Sequence, residues 1–251
     1  MLKYIPILCC LVAFSCTAPT APTVPTVPDV PSGQGVFKIK KSSDFEISGD
    51  GTAENWNLTE WVEIEQRRGK DAPFPTKAKI LYSETGMYFL IYCEDKLLTT
   101  TMDADNLHLW KEDVVEIFLA PDPGCWDHFE YELSPMNYEL ALFVTRDENG
   151  SFIRWLPYYY EETGREKTIH ASGVVGGEKR SGATVDAWIA EFYIPYRLLN
   201  IFENVPPRPG MQWRGNLYRI DYDNRPSSSW AWNPVSGTFH NTDEYGIFLF
   251  E

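Results

Sequence analysis

Strand-length runs with a period-two signal, rich in aromatic and β-branched residues, recur through much of this chain, a pattern that admits strands and little else. The pattern runs through residues 77–81, 87–93, 114–119, 129–133, 140–145, 187–194, 215–222 and 246–250. Between these runs stand turn-forming stretches such as Ser83-Glu84-Thr85-Gly86, Pro121-Asp122-Pro123-Gly124 and Asp147-Glu148-Asn149-Gly150. Helical signals are scarce, and nothing alternates strand with helix as a parallel sheet requires. One short helical turn is expected behind Pro195, at Tyr196-Arg197-Leu198-Leu199. The predicted fold is all-β: a β-sandwich of two antiparallel sheets, jelly-roll or immunoglobulin-like, with few short helical turns.

The first fifteen residues have another character. Lys3 is their one charge, an apolar run follows from Tyr4 to Phe14, and small Ser15 precedes Cys16. That is the layout of an export leader. The run is shorter than the about 20 residues that span a bilayer. Ala13-Phe14-Ser15-Cys16 resembles a loose bacterial lipobox, whose cleavage leaves Cys16 to be acylated. A plain secretory leader is the alternative, because Phe14 is an unusual neighbour and Cys9 and Cys10 compete. Residues 16–35 form a Thr/Pro-rich extended spacer, and residues 36–251 run on without a second break. The expected order is signal peptide 1–15, lipidated Cys16 and linker 16–35, then one β-sandwich domain at 36–251. The expected location is the bacterial cell envelope, as an outer-membrane lipoprotein on the periplasmic face or the cell surface. The membrane is met only through the lipid.

A formal charge of −14 repels phosphate backbones and anionic headgroups, so nucleic acid is excluded as a partner. Gly173, Gly176 and Gly177 lack the Lys-Ser/Thr of a phosphate-binding loop. Beyond Cys16, only Cys93 and Cys125 remain, without zinc-site spacing. Cys93 lies in an apolar strand and reads as core, with a bond to Cys125 as the lesser alternative.

Nine Trp residues in a chain that is 15% aromatic need places to go. Trp56, Trp61 and Trp188 read as core, the last beginning a face shared by Ala190, Phe192 and Ile194. Trp110 sits among charges in Leu107-His108-Leu109-Trp110-Lys111-Glu112-Asp113, directly before a strand. An indole fixed there can cover the C–H face of a sugar ring at low entropic cost. Glu116 is the one ionisable group in the strand that follows, between Val114 and Phe118 on its own face. It needs partners: sugar hydroxyls are one reading, and solvent or an arginine the other. Trp230 and Trp232 share a side if their segment is extended, and either can line the same surface.

These segments, in this order, resemble family 9 carbohydrate-binding modules and the related family-9-like (DOMON-like) sandwiches. Ile47-Ser48-Gly49-Asp50-Gly51 with Glu54 and Trp56 is similar to the family's opening element, and residues 78–82 with 87–95 to its second hairpin. Trp110-Lys111-Glu112-Asp113-Val114-Val115-Glu116-Ile117-Phe118 resembles its most specific motif. Trp188, Glu191, Ile194-Pro195 and Tyr245-Gly246 complete the order. The resemblance implies a non-catalytic domain that grips an oligosaccharide or polysaccharide between two rings, here Trp110 and Phe239, with Glu116 binding hydroxyls. It departs from the family where Phe239 replaces a Trp and where Glu130 falls near a binding Arg. Arg219 is the expected substitute donor, and Trp232 an added wall. No cofactor is implied. Structural calcium occurs in related modules, but Asp103-Ala104-Asp105-Asn106 and Asp221-Tyr222-Asp223-Asn224 lack a loop signature and read as turns.

Three other readings compete. A haem-binding electron-transfer domain needs two axial ligands inside a pocket, whereas His108, His128, His170 and His240 all lie in polar or loop-like contexts. A glycoside hydrolase needs two carboxylates about 5–9.5 Å apart. An adhesive lipoprotein would use the same aromatic face on a protein.

Overall fold

Strands form where the alternation predicts them, and five more form where it is weak. The computed structural model describes residues 34–69, 74–155 and 167–251. The leader, Cys16 and the linker as far as residue 33 lie outside the described residues. The strands are β1 Val36–Lys41, β2 Val62–Arg68, β3 Thr76–Tyr82, β4 Gly86–Glu94, β5 Val114–Ala120, β6 His128–Leu133 and β7 Glu139–Arg146. They continue with β8 Phe152–Trp155, β9 Ile169–Val175, β10 Ala187–Pro195, β11 Gln212–Asp221, β12 Ser228–Ala231 and β13 Gly246–Phe250. Among the described residues, no helix is long and apolar enough to cross a membrane.

One sheet runs β8-β7-β6-β5-β11-β12, with β13 also on β11, and the other β3-β4-β10-β9. Two strands pass between them. β2 pairs with β3 through Val62, Glu63 and Ile64, then with β12 through Glu65, Gln66 and Arg68. β1 runs parallel to β13 as far as Ile39 and then parallel to β3 at Lys40 and Lys41. The other pairs are antiparallel, so β1 is the exception to the predicted sheet type.

Alternation sends every second residue inward. Phe89, Ile91 and Cys93 of β4 and Trp188, Ala190, Phe192 and Ile194 of β10 meet Val115, Ile117 and Leu119 of β5 and Phe129 and Tyr131 of β6 in one core. Cys93 is a buried free thiol and Cys125 an exposed one. Trp188 is core, as predicted. Trp56 is also buried, but in a second layer on the outer face of β4, with Leu81, Tyr88 and Leu90. Trp61 is only half-buried, with the ammonium groups of Lys77 and Lys79 over its ring at 4.9 and 5.2 Å. Pro195 begins a turn, in which Leu198 donates its N–H to the Pro195 carbonyl.

Glu191 ties the opening element to β10. Its Oε2 accepts the backbone N–H groups of Ser48, Gly49 and Gly51 at 3.2, 2.7 and 3.3 Å, and its Oε1 accepts Trp56 Nε1–H at 2.8 Å. Gly49 and Gly51 have φ of +83° and +67°, the left-handed region, which lets three N–H groups converge on one carboxylate.

Candidate functional site: a carboxylate-floored cleft

The outer face of the first sheet is not given over to solvent. On β5, Glu116 and Phe118 point outward while Val115 and Ile117 enter the core. Register sets Glu116 opposite Glu132 and Phe118 opposite Glu130 on β6, and Glu116 opposite Tyr218 on β11. Loops fold over this face and leave a cleft of about 240 Å³ lined by Trp110, Glu116, Phe118, Glu130, Arg154, Ile220, Thr238, Phe239 and His240.

The motif from Trp110 to Phe118 now has a physical account. The tight turn Leu109–Lys111 carries Trp110 to the rim, half-buried against the Leu109, Val114, Leu140 and Leu142 cluster and stacked on His108 at 4.4 Å. Tyr222 donates its hydroxyl to the Trp110 carbonyl at 2.8 Å. Glu112 accepts the Met102 N–H at 2.9 Å, and Asp113 accepts the N–H groups of Thr99 at 2.6 Å and Tyr222 at 2.8 Å. The two acids before β5 are therefore loop anchors, and Glu116 is the acid presented to the cleft.

Phe239 stands on the loop before β13 and lines the same cleft. Its carbonyl accepts the hydroxyls of Tyr218 at 3.1 Å and Tyr245 at 2.8 Å. Trp110, Glu116 and Phe239 are thus brought together. Arg219 and Trp232 are not, which corrects the predicted site. Arg219 is on the opposite face of β11 and lies 1% exposed between the sheets, paired with Asp221 at 2.8 Å and Asp95 at 3.2 Å. Trp232 packs edge-on to Phe37 at 5.5 Å and against Phe248, outside the cleft. Trp230 is buried beneath the Arg219 guanidinium.

Glu116 and Glu130 form the floor, and Glu132, opposite Glu116 in register, is fully buried beside them. Burial pushes Glu116 well above the usual range, and the neighbouring Glu130 charge adds to it. Glu132 is raised well above its ordinary value by burial and then by Glu116 and Glu130; Glu130 is raised by burial against the pull of Glu132 and Arg154. One oxygen of Glu116 and one of Glu130 receive no hydrogen bond. The positive groups of the Arg219 cluster are used up: Asp95, Asp221 and Asp223 place ligand atoms within 4.8 Å of one another, but the guanidinium fills the role of cation there. Asp105 accepts the Glu139 N–H at 3.0 Å, as ordinary loop chemistry.

The histidines also differ from expectation. His128 and His240 are buried, and their Nε2 and Nδ1 atoms lie 3.0 Å apart. Arg154 Nη2 can only donate, so His240 Nε2, 2.8 Å away, accepts. The Trp126 carbonyl can only accept, so His128 Nδ1, 3.1 Å away, donates. Two neutral rings complete the chain, with His240 Nδ1–H donating to His128 Nε2. Burial accordingly lowers His128 to about 4, and burial, His128 and Arg154 lower His240 to about 3. Axial haem ligands stand on opposite sides of a porphyrin, and nitrogens in direct hydrogen-bond contact have no room for that plane between them.

Glu132, Tyr218 and Arg154 escaped the sequence reading, which has Glu130 only as a departure from the family and His128 and His240 only as polar or loop-like positions. The polar positions 128, 130 and 132 share a face, which reads as a solvent face until loops are seen to cover it.

Residues 47–150 match the family model described as carbohydrate family 9 binding domain-like. No protein of curated function matches the chain. Among solved structures, a candidate carbohydrate-binding protein from Bacteroides uniformis superposes with a TM-score of 0.69 at 17% identity, over 87% of this chain and 100% of that one. A family 9 carbohydrate-binding module from Caldicellulosiruptor kristjanssonii, in complex with cellotriose, gives 0.61 at 14% identity over 86% of this chain and 94% of that one. The same module type from that organism with glucose gives 0.59 at 15%, over 86% and 96%. The chain is therefore similar to the family 9 carbohydrate-binding domain model across residues 47–150, and it shares the fold of these solved structures across most of its length.

Proposed function

We propose that this protein binds oligosaccharide or polysaccharide chains in the cleft of the first sheet and performs no reaction on them. Trp110 and Phe239 serve as the aromatic walls and Glu116 as the hydroxyl-binding acid. The observation that carries the reading is that Glu116, whose buried carboxyl has an oxygen without a hydrogen-bond donor, lines a cleft shared with both rings. Such an oxygen is costly to leave unmet, and a sugar hydroxyl supplies a donor while its ring covers an aromatic face. Solved modules of the same fold hold cellotriose and glucose, which supports the ligand class. The proposal includes an N-terminal lipid on Cys16, with the linker as a spacer, and a place in the bacterial cell envelope.

Calorimetry and a glycan array test the binding. The expected result is saturable binding to at least one neutral oligosaccharide, reduced about tenfold or more by Trp110→Ala or Phe239→Ala in protein that keeps its far-ultraviolet spectrum. Silence across a broad panel overturns the sugar reading and favours a protein partner. Release of reducing ends from the bound glycan would overturn the non-catalytic part. Mass spectrometry of the mature N-terminus tests Cys16: a diacyl or triacyl cysteine is expected, and an unmodified terminus refutes the anchor.

A further inference from the structure

The proposed sugar grip assigns no role to His128, Glu130 or His240, yet they converge. Their ligand atoms all lie within 4.8 Å of one another, and the residues are 0%, 4% and 8% exposed. Glu130 Oε2 receives no hydrogen bond and lies 3.9 Å from His240 Nδ1. We propose that this trio is a binding site for a divalent transition metal of the zinc type, at one end of the cleft.

The donor set decides the class. Two imidazoles and one carboxylate suit zinc and its neighbours, whereas calcium and magnesium take oxygen ligands. His128 is already oriented as such a ligand: its Nδ1–H is held by the Trp126 carbonyl, which aims Nε2 at the point shared with His240 Nδ1 and Glu130 Oε2. Three protein ligands leave a fourth position open, and Glu130 and His240 both face the cleft.

Arg154 competes with the metal. Its donation to His240 Nε2 keeps the His240 proton on Nδ1, the atom the metal needs. Binding moves that proton from Nδ1 to Nε2, with none gained or lost, and the exposed guanidinium turns away into solvent. Arg154 therefore acts as a plug, and its removal strengthens the site. A purely structural histidine pair would give the opposite sign.

The test is titration of the untagged, chelator-treated full chain with Zn²⁺ at neutral pH by calorimetry, with Co²⁺ absorption as a second readout. One ion per chain is expected, with the visible bands of tetrahedral Co²⁺. His240→Ala, on the loop, is expected to weaken binding about 100-fold, and Glu130→Gln about tenfold. Arg154→Ala is expected to tighten it severalfold. His128→Ala is interpreted only if its circular dichroism is native; His240→Ala serves otherwise. Binding that is unaffected by His240→Ala, or weakened by Arg154→Ala, overturns the proposal. The inference is independent of the sugar reading, since zinc titration needs no glycan and the glycan array can be run with chelator.

Discussion

The Phe239 ring lies flat on that of Tyr218, with centroids 4.0 Å apart and planes 9° from parallel. Two tyrosine hydroxyls hold its carbonyl, so the wall is fixed from behind and from its backbone. Phe239→Ala is expected to lower glycan affinity about tenfold and, because the ring is half-buried against Tyr218, to cost about 1–2 kcal/mol of stability. Phe239→Trp enlarges the stacking face and is expected to raise affinity a few-fold. Calorimetry on both variants checks the pair.

Trp110 is half-buried, so its loss acts on two quantities at once. Trp110→Ala is expected to abolish measurable glycan binding and to cost about 1–2 kcal/mol of stability, below the full cost of a buried tryptophan. Denaturant unfolding distinguishes this from a loss of about 3–5 kcal/mol, which would make the indole a core residue.

Glu116 supplies a pH signature. Its folded-state value is raised, chiefly by burial, so the folded protein keeps a proton that the unfolded chain has released. That contribution is fully present below the ordinary carboxylate range and is lost as pH rises from there to the raised value. Glu116→Gln carries no such loss. Its melting temperature is expected to gain on wild type by about 2–4 °C or more between pH 4 and pH 8, while its glycan affinity falls. A difference that does not change with pH would refute the assignment.

Arg219 separates stability from binding. Its two carboxylate partners are buried with it, and removing one side leaves charge stranded between the sheets. Arg219→Ala is expected to cost about 3–5 kcal/mol. Any folded fraction at low temperature is expected to bind glycan with wild-type affinity.

Glu191→Gln retains one acceptor oxygen but removes the charge on which three N–H groups converge. The expected cost is about 2–3 kcal/mol, with faster amide exchange at Gly49 and Gly51 as the local readout.

The eight strands legible in the sequence are those whose alternate residues enter the core, such as Phe89, Ile91 and Cys93 on β4. β9 was illegible because Ile169-His170-Ala171-Ser172-Gly173 is an edge with no fully buried residue, and β12 because four residues carry no period. Trp110, Glu116 and Phe239 were legible through a motif and a resemblance. Arg219 was not, because nothing local tells which face of β11 it takes; register puts Tyr218 over the cleft and turns Arg219 inward. The histidine pair joins residues 112 positions apart, a distance that no local pattern reports.

The Glu191 clamp bears on where this domain can be cut. The family match ends at residue 150, yet the carboxylate that closes its first turn arrives on β10, and the second aromatic wall later still. A fragment stopping at 150 would expose three converged amides with no anion to receive them, and a half-lined groove. The recognisable segment is the part most easily detected, and it depends for its shape on the part that is not.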